Sequence, residues 1–211
     1  MAEATVIEGT REAVATLRPV SPAAHLAARF TAAEVTGQRA VRLREISFLT
    51  MVGLRARPGT TTADRLEACL GAALPTACGA VTSGSGVSVL WLSPDEFLAV
   101  SDRQPADLTT ALVDALEGDP GSVTDLSANR TTFELAGPMA REVLAKGCPL
   151  DLHPRAFQTG SAYVTTIGSV PVILWKTGDE LYRVLPRASF ADFLGRWLLD
   201  AMTEFHAPEI P

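Results

Sequence analysis

The stretch VTDLSANRTTFELAGPMAREVLAKGCPLDLHP, from Val123 to Pro154, reads as strand, turn, strand, helix and stop. Val123 to Leu126 is a short apolar strand, and Ser127, Ala128 and Asn129 make a polar turn. Thr131, Phe133 and Leu135 then alternate with Thr132, Glu134 and Ala136, the period of a half-buried strand. Gly137 and Pro138 are expected to open a helix, because proline at the first helical position has the right φ and lacks only an unneeded hydrogen. Gly147 is expected to close it in the left-handed cap conformation, and Pro149 blocks its continuation.

Upstream, a strand (Thr50 to Arg55) and a turn at Pro58 and Gly59 lead to a helix (Thr62 to Leu70), stopped by Gly71 and Pro75. A flexible loop, 83 to 86, enters a hairpin with strands Val87 to Leu92 and Glu96 to Ser101, turned by Ser93, Pro94 and Asp95. A helix from Ala106 to Glu117 returns the chain to Val123. The order βαββαβ is that of a ferredoxin-like split βαβ unit. Downstream the pattern nearly repeats: strand 131–136, helix 138–146, strands 161–168, 171–176 and 180–185, and a helix 188–202. Phe190, Phe193, Leu194, Trp197, Leu198 and Ala201 give that last helix one broad apolar face. The expected class is α+β, two ferredoxin-like halves with antiparallel sheets and helices on one side. The expected divisions are an N-terminal arm (1–45, partly irregular), a first subdomain (46–127) and a second (128–211). Within the arm, Ser21 is expected to cap a short helix.

Composition narrows the function classes. The 211-residue chain is 47% hydrophobic and 20% charged, ordinary values for a globular protein. Its mean hydropathy of +0.18 is slightly apolar and suggests a surface that another chain covers. No apolar run reaches the eighteen or so residues of a membrane helix. The N-terminus, MAEATVIEGTREA, lacks the basic and apolar regions of a secretory signal. A net charge of −6 argues against nucleic acid, which needs clustered Lys and Arg. Arg42 with Arg44, and Arg55 with Arg57, read as solvated strand faces. Cys69, Cys78 and Cys148 are scattered and odd in number, as expected of buried thiols in a reducing cytoplasm.

Each candidate for chemistry has a plainer reading. The run Ser83-Gly84-Ser85-Gly86 enters a strand and has no lysine, so it cannot set a helix N-terminus against phosphate. Asp125, followed by Ser127, reads as the cap of its own turn. Glu134 reads as the outward residue of an alternating strand. His153 lies near Asp151 and Cys148, but neighbours in one turning segment do not converge as a triad does. A buried or interfacial role is expected for His153, and His25 and His206 offer no second metal ligand at usable spacing. Trp91, Trp175 and Trp197 read as core, and nothing marks Lys176 for a Schiff base. No residue is assigned a catalytic, cofactor-binding or metal-binding role.

The Val123–Pro154 stretch, with LWLSPDEFLAV (Leu90 to Val100) and SFADFLGRWLLDA (Ser189 to Ala201), resembles the gamma subunit of heterotetrameric sarcosine oxidase. That family is similar in turn to the folate-binding aminomethyltransferase of the glycine cleavage system, and the resemblance spans roughly Ile46 to Met202. It implies an aminomethyltransferase-like folate-domain fold and an accessory subunit without its own cofactor, docked on alpha, beta and delta partners. It further implies FAD, FMN, NAD and zinc on those partners, and tetrahydrofolate as co-substrate of the complex. Such a complex demethylates sarcosine with oxygen, giving glycine, hydrogen peroxide and formaldehyde or a one-carbon folate. In the related folate enzymes a carboxylate reads the pterin ring, which brings Asp125 and Glu134 into view. The alternative is a self-sufficient folate-dependent one-carbon transferase.

Overall fold

The computed structural model describes residues 19–206. Two five-stranded antiparallel sheets lie back to back, and helices cover the outer face of each. The first sheet has the order β3 (Val81–Gly84), β4 (Val87–Ser93), β5 (Glu96–Ser101), β2 (Thr50–Arg55), β6 (Ser122–Asp125). The second has the order β1 (Arg42–Ile46), β7 (Thr132–Ala136), β10 (Leu181–Pro186), β9 (Val170–Gly178), β8 (Ala162–Ile167). The helices are α1 (Ala27–Ala32), α2 (Thr61–Leu70), α3 (Pro105–Leu116), α4 (Ala140–Ala145) and α5 (Ala191–Met202).

Strand alternation divides the apolar side chains among three layers. Val52, Leu54, Phe97 and Ala99 point out toward Leu66 and Leu70 of α2 and Leu108 and Leu112 of α3. Phe133, Leu135, Leu174 and Val184 point the other way, toward Leu26, Phe30, Val143, Leu194 and Leu198. Between the sheets, Met51, Leu90, Leu98 and Val100 meet Ala162, Ile173, Trp175 and Leu185. A sheet covered on both faces has no solvated face, and β7 has four consecutive buried residues, its polar alternates Thr132 and Glu134 among them.

Within the first sheet, β4-β5-β2-β6 has the ferredoxin-like split βαβ order, with β3 added at the edge. The second sheet reaches the same order differently. The position beside β7 is filled by β1, from near the start of the chain. The segment expected as a partly irregular arm therefore supplies an edge strand and a buried helical turn. Leu26, Phe30, Val41 and Leu43 are each at most 3% exposed. Glu45 fastens this segment: Ser21 Oγ donates to its Oε2 at 2.6 Å, and the Ala23 N–H and Thr131 hydroxyl donate to Oε1. Ser21 thus serves Glu45 rather than capping a helix.

Three local expectations are corrected. Residues 83–86 form a tight hairpin turn, with Ser85 and Gly86 both at positive φ as a two-residue type I′ turn requires. That turn is seated on the C-terminus of α2, where a Cβ at Gly84 would lie 1.9 Å from the Gly71 carbonyl oxygen. α4 begins at Ala140, two residues after Pro138, which lies in the preceding turn. Gly147 is not in the left-handed region. A Cβ there would sit 2.6 Å from the Trp197 ring, so close approach rather than φ requires the glycine.

Candidate functional site

The strand registers place one row of residues across the second sheet, on the face turned toward the first. Arg44 of β1 lies opposite Glu134 of β7, which lies opposite Arg183 of β10, and Arg183 lies opposite Trp175 of β9. Glu134 is only 4% exposed. Arg44 binds its Oε1 through Nε at 2.6 Å and Nη2 at 2.5 Å, and Arg183 Nε stands 4.0 Å from Oε2. The Arg183 guanidinium carbon lies 5.3 Å from the Trp175 ring centroid, a cation–π distance. Its Nε–H is buried and has no hydrogen-bond partner among the described residues. Two guanidinium groups share one carboxylate, so the row carries one net positive charge.

Arg183 and Trp175 line a cleft of about 480 Å³ at the mouth of the inter-sheet layer. The opposite wall is the hairpin turn Ser83–Gly86 with Ser88, Ser101 and Asp102. Ser101 Oγ donates to the Gly86 carbonyl at 2.9 Å, and the Ser83 and Ser88 hydroxyls lie 2.9 Å apart. The cleft offers a flat cation on an aromatic ring and several hydroxyls. A guanidinium and hydroxyls are groups that can hold and orient a hydrogen-bond acceptor, and Asp102 adds one carboxylate to the wall. Glu134 is therefore not an outward residue. Its burial escaped sequence reasoning because the first sheet supplies the cover. The one sequence signal was the Arg-x-Arg spacing of Arg42 and Arg44, read as a solvated face; both are exposed, and Arg44 from that exposed position also binds Glu134.

Asp125 sits at the end of β6, and its Oδ1 accepts both the Ser127 N–H at 2.9 Å and the Ser127 hydroxyl at 2.6 Å. With Glu134 held by Arg44, neither carboxylate presents a clear bidentate face to a pterin. His153 is exposed rather than buried. Its Nδ1 accepts the Arg155 N–H, and Asp151 Oδ1 accepts the His153 N–H, so all three residues stabilise one loop. Cys148 is buried apart from them, its sulfur 4.0 Å from the Thr165 hydroxyl. Cys69 is half-buried, and burial pushes its thiol up, away from nucleophilic chemistry. Cys78 is exposed, against the expectation of buried thiols. Of the tryptophans, Trp175 is buried in the inter-sheet layer and Trp91 and Trp197 are half-buried. Among the described residues no group of three or more His, Cys, Asp or Glu is arranged to hold a metal ion.

A family model, that of the sarcosine oxidase gamma subunit family, matches residues 55–204. The gamma subunit of sarcosine oxidase from Corynebacterium sp. strain U-96 is 52% identical over 211 residues, covering all of both chains. The chain belongs to the sarcosine oxidase gamma subunit family. An Arthrobacter gamma subunit is 49% identical, again over the full length of both. Among solved structures, heterotetrameric sarcosine oxidase from Corynebacterium sp. U-96, in complex with pyrrole 2-carboxylate, contains a chain that superposes with a TM-score of 0.88. It is 52% identical, and the match covers 92% of this chain and 99% of that one. Glycine cleavage system aminomethyltransferase T from Bartonella henselae matches with a TM-score of 0.56 at 16% identity, over 75% of this chain and 45% of that one. The second likeness concerns the fold alone. This chain thus shares its fold with part of that aminomethyltransferase.

Proposed function

We propose that this chain is the accessory gamma subunit of a heterotetrameric sarcosine oxidase, docked on alpha, beta and delta subunits. The observation that carries the reading is the TM-score of 0.88 to a chain of such a heterotetramer at 52% identity. The complex would demethylate sarcosine oxidatively with oxygen, releasing glycine and hydrogen peroxide. The one-carbon unit would leave as formaldehyde or pass to tetrahydrofolate. FAD, FMN, NAD and zinc belong in this reading to the partner subunits, and the whole assembly is cytoplasmic. This chain contributes no catalytic, cofactor-binding or metal-binding residue and has no activity by itself. Its folding units are proposed as 46–127 and 128–211, with the preceding arm joined to the second.

Exposed apolar side chains support the docking role. Phe48, Val164 and Phe193 are 59%, 61% and 53% exposed, the kind of anchor that a partner surface covers. No helix among the described residues is long and apolar enough to cross a membrane, and the charge of −6 gives no footprint for nucleic acid. A self-sufficient transferase is not favoured, because Asp125 and Glu134 are already engaged within the chain. The test is to co-express the other three subunits with and without this chain. Assembly and sarcosine-dependent peroxide release are expected to fall sharply without it; an intact, fully active complex lacking it would refute the role.

A further inference from the structure

On the helix-covered side of the second sheet, Lys176 of β9 is 3% exposed. Its Nζ donates to the Phe157 carbonyl at 3.2 Å, and among the described residues no carboxylate lies within ion-pair distance of it. A lysine so buried is ordinarily paired, since an uncompensated ammonium in a protein interior is costly. Across the strands lies Tyr182, 1% exposed, with the Lys176 ammonium 5.8 Å from its ring centroid. The Tyr182 hydroxyl makes no hydrogen bond among the described residues and is not one of the buried orphan atoms, so it keeps access to solvent at the end of a buried ring.

Both side chains line a cleft of about 480 Å³, a volume in the range of small-molecule sites. Arg141, held by Glu142 at 2.9 Å, adds a second cation to its wall. Asp179 and Glu180, from the β9–β10 turn, add two carboxylates; Thr159 Oγ1 donates to Asp179 Oδ1 at 2.9 Å. Pro138 adds an apolar surface. We infer that this cleft binds a small zwitterionic amino acid, whose carboxylate takes the spare donors of Lys176, Tyr182 and Arg141 while its ammonium faces Asp179 and Glu180. A carboxylate there gives the buried Lys176 ammonium a counter-charge that the described residues do not supply, and the mixed signs select a zwitterion over a simple anion or a simple amine. The inference stands on this chain alone and does not depend on the docking role.

The test is binding to the purified full-length chain at low micromolar concentration, read by thermal unfolding and by titration calorimetry. The probes are glycine, acetate and methylamine at matched chloride. Glycine is expected to raise the unfolding midpoint saturably, acetate to bind several-fold more weakly, and methylamine to have no effect. Lys176→Met is expected to weaken glycine at least tenfold, and Tyr182→Phe, which keeps the packed ring, about fivefold. Should Lys176→Met not fold, Tyr182→Phe alone decides. No response to glycine, acetate as effective as glycine, or unchanged affinity in Tyr182→Phe would each overturn the inference.

Discussion

Glu134 holds together a row that crosses four strands, and its replacement tests that role. In Glu134→Ala the Arg44 and Arg183 guanidinium groups face each other without a shared carboxylate, and Arg183 Nε gains no partner. The expected loss is about 2–3 kcal/mol, below the upper range for buried pairs because Arg44 keeps access to water. It would show as a lower urea midpoint at unchanged slope; a midpoint within error of wild type would contradict the account. Gly147→Ala is expected to lose about 1–3 kcal/mol through overpacking against Trp197. Phe48 carries a second kind of strain, a φ of 61° in a bulky, exposed residue. Phe48→Gly is expected to stabilise the isolated chain by about 0.5–1 kcal/mol while weakening its capture of partners, separable by calorimetry and pull-down. Burial pushes the Tyr182 phenol above its ordinary value near 10, with Arg141 partly opposing. A raised folded value means that stability is complete below pH 10 and lost as pH rises through the folded value. Alkaline unfolding should accordingly be shallower in Tyr182→Phe than in wild type. The Asp125 turn was legible in the sequence because its partner is two residues away. Glu134 and Lys176 were not: Glu134 is held by Arg44, 90 residues away, and Lys176 by the Phe157 carbonyl of a loop 19 residues away, contacts that no short-range period marks.

At the scale of elements, strands and helices were legible wherever a short-range period or a punctuation residue marks them. The hairpin at Ser93-Pro94-Asp95 and the apolar face of α5 are of that kind. β3 was hidden, because Val81–Gly84 is short, polar and at an edge, and reads as part of a glycine-serine loop. β1 was hidden for a different reason: nothing in Arg42–Ile46 says that it pairs with β7, some 90 residues later. Removing residues 1–46 tests its weight. The deletion opens the edge of β7 and takes away Leu26, Phe30, Val41 and Leu43, each nearly fully buried. At about 1.5–3 kcal/mol per side chain these four contribute roughly 6–12 kcal/mol, comparable with the whole stability of a domain. The truncated chain is expected to be insoluble or aggregated in sedimentation. A cooperative, soluble monomer would show that β1 is dispensable.

For the molecule as a whole, local pattern predicted two similar halves but not that they pack through their sheets. That arrangement buries both faces of the central strands, and the alternation of β7, with Thr132 and Glu134 between its apolar residues, reads instead as a strand with one face in solvent. Phe48 in a turn, Val164 on the edge strand β8 and Phe193 on α5 nevertheless remain uncovered. A subunit with such anchors is expected to travel with its partners rather than alone. The most direct measurement is isolation of the tagged chain from its native host, followed by size-exclusion and a visible spectrum. The docking account predicts a large yellow complex with flavin bands that releases peroxide when sarcosine is added. A colourless chain eluting alone, from cells that contain the other subunits, would contradict it.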